Sequence, residues 1–222
     1  MTKLLIAVKS CQDHKDRGDH NVIRSTWGKD AKALGIEVRF FMGASMNQYQ
    51  SDEVHLKCAD DYNALPFKTR EICKWASGKV IDYVFLCDND TFLIPRLLLK
   101  TGFENFDYAG KISKPIGIPF RYEHTGREGQ KELYQRCYPW ASGGFGYFLS
   151  KKALAEIAYG FPTSECEDLW VGQEMGKLYS EGKVTIGDFP ANEYSFHHPQ
   201  HGEIYDIQTL ASWMHQMYKD RQ

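Results

Sequence analysis

Asp88-Asn89-Asp90 places two carboxylates at i and i+2. The triplet follows the apolar run Tyr83-Val84-Phe85-Leu86-Cys87, which reads as a buried strand. Carboxylates just past such a strand sit at the carboxyl edge of a sheet, where open α/β folds bind ligands. An acidic pair there favours a hard divalent cation that also holds phosphate oxygens. The same triplet can be a plain solvated turn, so its company decides. Tyr138 to Tyr147 packs aromatics around Gly143, Gly144 and Gly146. Glycines let a backbone approach a ligand closely, and aromatic faces stack on sugar rings. The plainer alternative is a glycine-rich turn between core aromatics. Glu167-Asp168 opens a helix just before Trp170, where negative charge is worth about 0.3–1 kcal/mol on its own. His197-His198 adds imidazoles, and a neutral imidazole completes a carboxylate metal site well.

The elements that must position these residues are readable in outline. Leu4–Val8 and Val38–Met42 read as strands, Asn21–Leu34 as a helix stopped by Gly35. Asp60 or Asp61 caps a helix running to about Ala76, with Pro66 in its first turn. Val80–Cys87 is the strand that delivers the triplet. Pro95–Leu99 reads as a short helix and Tyr108–Ile112 as a strand. The stretch from Ser113 to Gln135, charged and rich in Pro and Gly, reads as a long surface excursion. Tyr147–Leu149 returns to the core. Helices follow over Lys151–Tyr159, Glu167–Tyr179 and Ile207–Tyr218. Strands alternating with helices argue for an α/β sheet. No G-x-G-x-x-G follows the first strand, which counts against an ordinary dinucleotide site.

Composition narrows the classes. The 222 residues suit one domain, and a hydrophobic fraction of 42% supports a real core. A net charge of −2 offers no basic field for nucleic acid. No apolar run approaches a membrane span. The start through Lys9 lacks a small-residue cleavage site and reads as a core strand. The six cysteines show no C-x-x-C spacing, so they read as free thiols rather than a zinc ribbon, with one disulfide left open for an oxidising compartment.

Taken together, the segments resemble the β-1,3-glycosyltransferases that include β-1,3-galactosyltransferases, β-1,3-N-acetylglucosaminyltransferases and Fringe. Ile23-Arg24-Ser25-Thr26-Trp27-Gly28 resembles the early I-R-x-T-W signature. Asp60 to Leu65 with Lys68-Thr69 resembles the D-x-Y-x-N-L…K-T helix, and Asp88-Asn89-Asp90 the D-x-D. Tyr138 to Tyr147 resembles Y-P-x-Y-x-x-G-x-G-Y, and Glu167 to Gly172 resembles E-D-V-x-x-G. The motifs occur in family order over nearly the whole chain.

The resemblance implies a GT-A-type α/β fold, a mostly parallel central sheet flanked by helices with a mixed acceptor-side half. It implies a single domain over residues 1–222, with a nucleotide-sugar half to about 112 and an acceptor and catalytic half from about 113. It implies an inverting transfer from a UDP-sugar to a hydroxyl of an oligosaccharide or glycoconjugate, with Mn²⁺ or Mg²⁺. Carried over by position, Asp90 ligates the metal and Asp88 lies beside it near the donor. Asp168 is the general base, Arg24 and Lys68 contact the nucleotide, and Gly143 and Gly144 lie in the donor loop. One of His197 and His198 completes the metal shell. Animal members carry an anchor and stem and work in the Golgi lumen. This chain begins almost at its first strand, so the expectation is a compact, soluble catalytic domain of the cytosol, microbial or viral. A chain trimmed of its anchor would instead belong to the Golgi lumen. The alternatives are a non-catalytic carbohydrate-binding protein on the same fold and a metal-dependent phosphoesterase.

Overall fold

The computed structural model describes residues 2–44, 50–112, 114–126, 129–199 and 207–221. The chain runs β1 (Leu4–Lys9), α1 (Gln12–Arg17), α2 (Asp19–Ser25), α3 (Trp27–Ala33), β2 (Glu37–Met42), β3 (Glu53–His55) and α4 (Leu65–Ser77). It continues with β4 (Tyr83–Asp88), β5 (Thr91–Leu93), α5 (Pro95–Leu98), β6 (Tyr108–Gly110), β7 (Phe120–Thr125) and β8 (Lys131–Cys137). The last part holds β9 (Tyr147–Ser150), α6 (Lys151–Tyr159), α7 (Glu167–Ser180), β10 (Ile186–Asp188), β11 (Ser195–His197) and α8 (Ile207–Lys219).

β1 is buried along its whole length because it is apolar on both faces. Side chains alternate across a strand. Leu5 and Ala7 therefore pack into one layer with Ile72, Leu154 and Trp170, under α4, α6 and α7. Leu4, Ile6 and Val8 pack into the other with Ile23, Trp27, Leu210 and Met214, under α2, α3 and α8. Each fully buried side chain of this kind contributes about 1.5–3 kcal/mol. The seven-stranded sheet has the order β10-β6-β9-β4-β1-β2-β3. β1, β2, β3 and β4 pair in parallel, as do β10 and β6, while β9 runs against β4 and β6. The mostly parallel sheet with one mixed half is the expected GT-A-type arrangement. Because β9 is reversed, its first residue Tyr147 lies opposite Leu86 near the end of β4. The glycine loop before β9 therefore arrives at the same edge as the acidic triplet.

Local expectations hold where one helix buries one stripe. α6 spans the expected residues, capped by Ser150 Oγ, which accepts from Ala153 N at 3.2 Å. The single helix expected over Asn21–Leu34 is instead two, α2 and α3, broken at Thr26. Ser25 and Thr26 hydroxyls donate to the Val22 carbonyl at 3.1 and 2.7 Å, satisfying the last turn of α2. The break seats Trp27 in the core, where its indole N–H donates to Thr91 O at 3.1 Å. α1 is a further short helix between β1 and α2. α4 begins at Leu65 rather than at Asp60, and β4 begins at Tyr83 because Val80 is 75% exposed. The excursion expected from Ser113 is largely the β7–β8 hairpin; Ser113 itself lies outside the described residues. No helix among the described residues is long and apolar enough to cross a membrane.

Candidate active site

β4 ends at Asp88, and Asp90 directly precedes β5. β5 pairs antiparallel with β11, with Thr91 opposite His197. That register sets His197 Nε2 3.3 Å from Asp90 Oδ1. Ligand-capable atoms of Asp88, Asp90 and His197 all lie within 4.8 Å of one another. Two carboxylates and an imidazole form a donor set suited to Mn²⁺ or Mg²⁺. His198 does not join this group. It is buried, with its ring edge-on to Trp213 of α8 at 5.0 Å between centroids. Burial lowers its pKa, partly countered by Asp90. The middle residue of the triplet is structural: Asn89 Nδ2 donates to Asp19 Oδ2 at 2.5 Å, and its Oδ1 lies 2.9 Å from His14 Nδ1. Asn89 thus ties the triplet to α1 and α2.

Asp168, second residue of α7, is half-buried. Its Oδ2 accepts from Gly143 N at 2.8 Å, and its Oδ1 accepts from Cys166 Sγ and Leu169 N, each at 2.8 Å. Burial and the neighbouring Glu167 raise its pKa, while Cys166, the Gly143 N–H and Lys9 pull the other way. A carboxylate kept basic but anchored is suited to proton abstraction. The loop holding it also reaches the histidine. A Cβ on Gly143 would meet Glu167 Oε1 at 2.8 Å, and one on Gly144 would meet the His197 ring at 2.3 Å. At both positions a Cβ would force the neighbouring side chain to move.

Sequence reasoning missed the group that links these parts. Lys9, at the end of β1, is 3% exposed. Its ammonium lies 3.1 Å from Asp88 Oδ1 and bonds Glu167 Oε1. Burial acts to lower the Lys9 pKa, but Asp88 and Glu167 outweigh it and raise it well above the usual value. Glu167 Oε2 also accepts from the Tyr147 hydroxyl at 2.7 Å and from Thr69 Oγ1 at 3.2 Å. Glu167 is therefore a buried anchor rather than only a favourable charge at a helix start. Removing one partner from such a buried pair costs about 3–5 kcal/mol. The signal available in the sequence was a lysine closing an otherwise apolar strand.

Arg24 and Lys68 lie on the β1–β2–β3 side. Arg24 bonds Asp52 at 2.8 and 2.9 Å and Glu53 at 2.9 Å, and its guanidinium sits 4.8 Å from the Phe40 ring centre. Glu53 also takes Lys15 at 2.7 Å and His20 at 3.2 Å. Burial acts to raise the Glu53 carboxyl, but Lys15, the Gln50 N–H, Arg24 and His20 hold it down at about 2. His20 continues to Ser10 Oγ at 2.8 Å. Lys68 is buried, with its ammonium on Ser10 O at 2.5 Å and Asp60 Oδ1 at 2.8 Å. Lys68 thus braces the segment after β1 and Arg24 the start of β3, and these partners lie outside the Asp88–Asp90–His197 group.

The carboxyl edge of the mostly parallel sheet thus carries a cation-capable group and, through the glycine loop, an anchored carboxylate. A family model described as Galactosyltransferase matches residues 19–179. The chain belongs to that family. It is 27% identical over 188 residues to mouse beta-1,3-galactosyltransferase 5, covering 74% of this chain and 61% of that protein. The chain thus spans about 61% of the length of this curated relative. In fold it is similar to 4-diphosphocytidyl-2C-methyl-D-erythritol synthase from Anaerococcus prevotii, with TM-score 0.50, 10% identity and coverage of 97% and 96% of the two chains.

Proposed function

We propose that the protein is an inverting, metal-dependent transferase that moves a sugar from a UDP-sugar to a hydroxyl of a glycan acceptor. The observation that carries this reading is the glycine pair: Gly143 holds Asp168 while Gly144 lies against His197. Adjacent residues thereby join the candidate base to the cation-capable group. Asp88, Asp90 and His197 would hold Mn²⁺ or Mg²⁺. Such an ion supplies charge neutralisation for a departing diphosphate, worth several kcal/mol.

The chain's own residues do the rest. Asp168 accepts the proton of the acceptor hydroxyl as that oxygen attacks the anomeric carbon, a contribution of about 10²–10⁴-fold. Gly143 N keeps its carboxylate oriented, and Glu167, locked by Lys9, Tyr147 and Thr69, fixes the start of α7. Asp88 lies on the donor side. Arg24 and Lys68 act on the nucleotide side, where they hold Glu53 and the Ser10 backbone. The hairpin supplies the acceptor side: Trp140 packs against Phe120 and Tyr122 at 6.2 and 5.0 Å between ring centres, and the charge of Asp168 reaches Tyr122. Aromatic faces of this kind suit a pyranose ring. Six free cysteines fit a reducing compartment such as the cytosol.

The test is UDP release from UDP-galactose, UDP-N-acetylglucosamine, UDP-glucose and UDP-xylose with Mn²⁺ and a mixture of glycan acceptors. Acceptor-dependent UDP release from one donor, lost on chelation, supports the reading. Glycan binding without transfer from any donor would make the protein a carbohydrate-binding module, and phosphate release without sugar transfer would make it a phosphoesterase.

A further inference from the structure

Lys9 places a charge at the end of a strand that is otherwise apolar, 3% exposed in the core. Stability alone does not account for it. Replacing a buried ion cluster with apolar groups of similar volume is often neutral or stabilising. The partners of Lys9 do account for it. Asp88 lies two residues before Asp90 of the cation-capable group, and Glu167 directly precedes Asp168. One ammonium therefore connects the segment that would face the leaving group with the segment that carries the base, across 158 residues of sequence.

We propose that Lys9 is a positioning residue for sugar transfer, fixing the separation of the leaving-group and base sides while its charge offsets Asp88 and Glu167. The proposal rests on the glycosyltransferase reading above. A displacement of about 1 Å between reacting parts is enough to cost about 10²-fold in rate. The charge matters separately from the tether. The groups that face Asp168 are Glu167 and Cys166 from its own segment, Lys9 from β1, Tyr108 from β6, Tyr122 from β7 and the Gly143 N–H from the glycine loop. Lys9 is the cation in that set, and it favours the ionised base.

The experiment compares purified wild type with Lys9→Met, Lys9→Arg and Glu167→Gln by transfer kinetics across pH, calorimetric titration with Mn²⁺ alone, and thermal melting. Lys9→Met should lose about 10²-fold in kcat with donor KM nearly unchanged, and Lys9→Arg should recover part of that loss. With a positive charge gone from beside Asp88, Lys9→Met should bind Mn²⁺ roughly tenfold more tightly or better. The acid limb of its kcat profile should move to higher pH. Glu167→Gln removes a negative charge instead, so it should weaken Mn²⁺ binding and move the acid limb to lower pH. General damage has a different signature: weaker Mn²⁺ binding together with lower melting temperature and an unmoved acid limb. That pattern in Lys9→Met, or a wild-type kcat, would overturn the proposal. If Lys9→Met does not fold, the opposite-sign shifts of Glu167→Gln decide, and their absence overturns the proposal. A wild type that transfers no sugar from any donor removes the glycosyltransferase reading. The signs of the Mn²⁺ shifts then still support or overturn Lys9 as a charge bridge to the cation group.

Discussion

Gly144 lies against the His197 ring so closely that a Cβ there would come within 2.3 Å of Cε1 and 2.4 Å of Nδ1. The imidazole faces bare backbone, and no rotation of a methyl group relieves such an approach. Gly144→Ala is therefore expected to displace His197 and to weaken Mn²⁺ binding by at least about tenfold, as one lost ligand interaction of roughly 1.4 kcal/mol would do. Calorimetric titration with Mn²⁺ measures this. An unchanged affinity would show that the ring is not held there by the glycine.

The two histidines should separate cleanly. His197→Ala is expected to abolish Mn²⁺-dependent UDP binding. His198→Ala should keep that binding but lower the melting temperature, because it deletes a buried ring packed edge-on to Trp213. Such an aromatic pair contributes about 0.5–1.5 kcal/mol beyond area burial. The reverse result, with His198 controlling Mn²⁺ affinity, would transfer the ligand role.

Asp168→Asn keeps the shape of the side chain and removes the proposed base. The expected outcome is a loss of about 10²–10⁴-fold in kcat with UDP-sugar affinity retained. Near-normal turnover in this variant would take Asp168 out of the base role.

The pH profile carries a sign. A base works only when ionised, so kcat falls as pH drops through its folded pKa. Burial and Glu167 raise that pKa. The acid limb should therefore appear above the ordinary aspartate value of about 3.9, and it should vanish from the residual activity of Asp168→Asn. An acid limb at or below the ordinary value would contradict the structure's account of this carboxylate.

Thiol reactivity offers a check independent of substrate. Burial acts to raise the Cys11 thiol, but its hydrogen bond to His14 outweighs that and lowers its pKa. Burial instead pushes Cys58 up, raises Cys137 to about 11, and lifts Cys73, Cys87 and Cys166 higher still. The thiolate is the reactive form. Iodoacetamide near neutral pH, followed by peptide mass mapping, should label Cys11 first. His14→Ala should remove that advantage.

The strands at Leu4–Lys9 and Tyr83–Asp88 were legible because a strand buried on both faces reads as an unbroken apolar run. Lys151–Tyr159 was legible because one apolar stripe defines it. The break at Thr26 was not, since two hydroxyls on the Val22 carbonyl and the pull of Trp27 toward Thr91 outweigh helical periodicity. β7 carries an alternating pattern, Phe120-Arg121-Tyr122-Glu123, but the Pro and Gly around it read as loop. At the site, residue types were legible and pairings were not. The choice between His197 and His198 depends on the β5–β11 register. Lys9 and Glu167 meet across 158 positions with no local signal, so only the fold brings them together.

The reversal of β9 has a consequence for how the protein is made. A sheet of parallel strands presents at its carboxyl edge only the loops that follow strands; the reversed strand adds the loop that precedes one. The edge is therefore assembled from early and late parts of the chain. During synthesis both carboxylates of the triplet emerge by residue 90, yet the glycine loop, Asp168 and His197 emerge long afterward. Until the last of these is in place, the nascent chain has acidic side chains with neither the imidazole nor the opposing carboxylate. The candidate site is thus complete only once the polypeptide has been synthesised through His197 and folded across these segments.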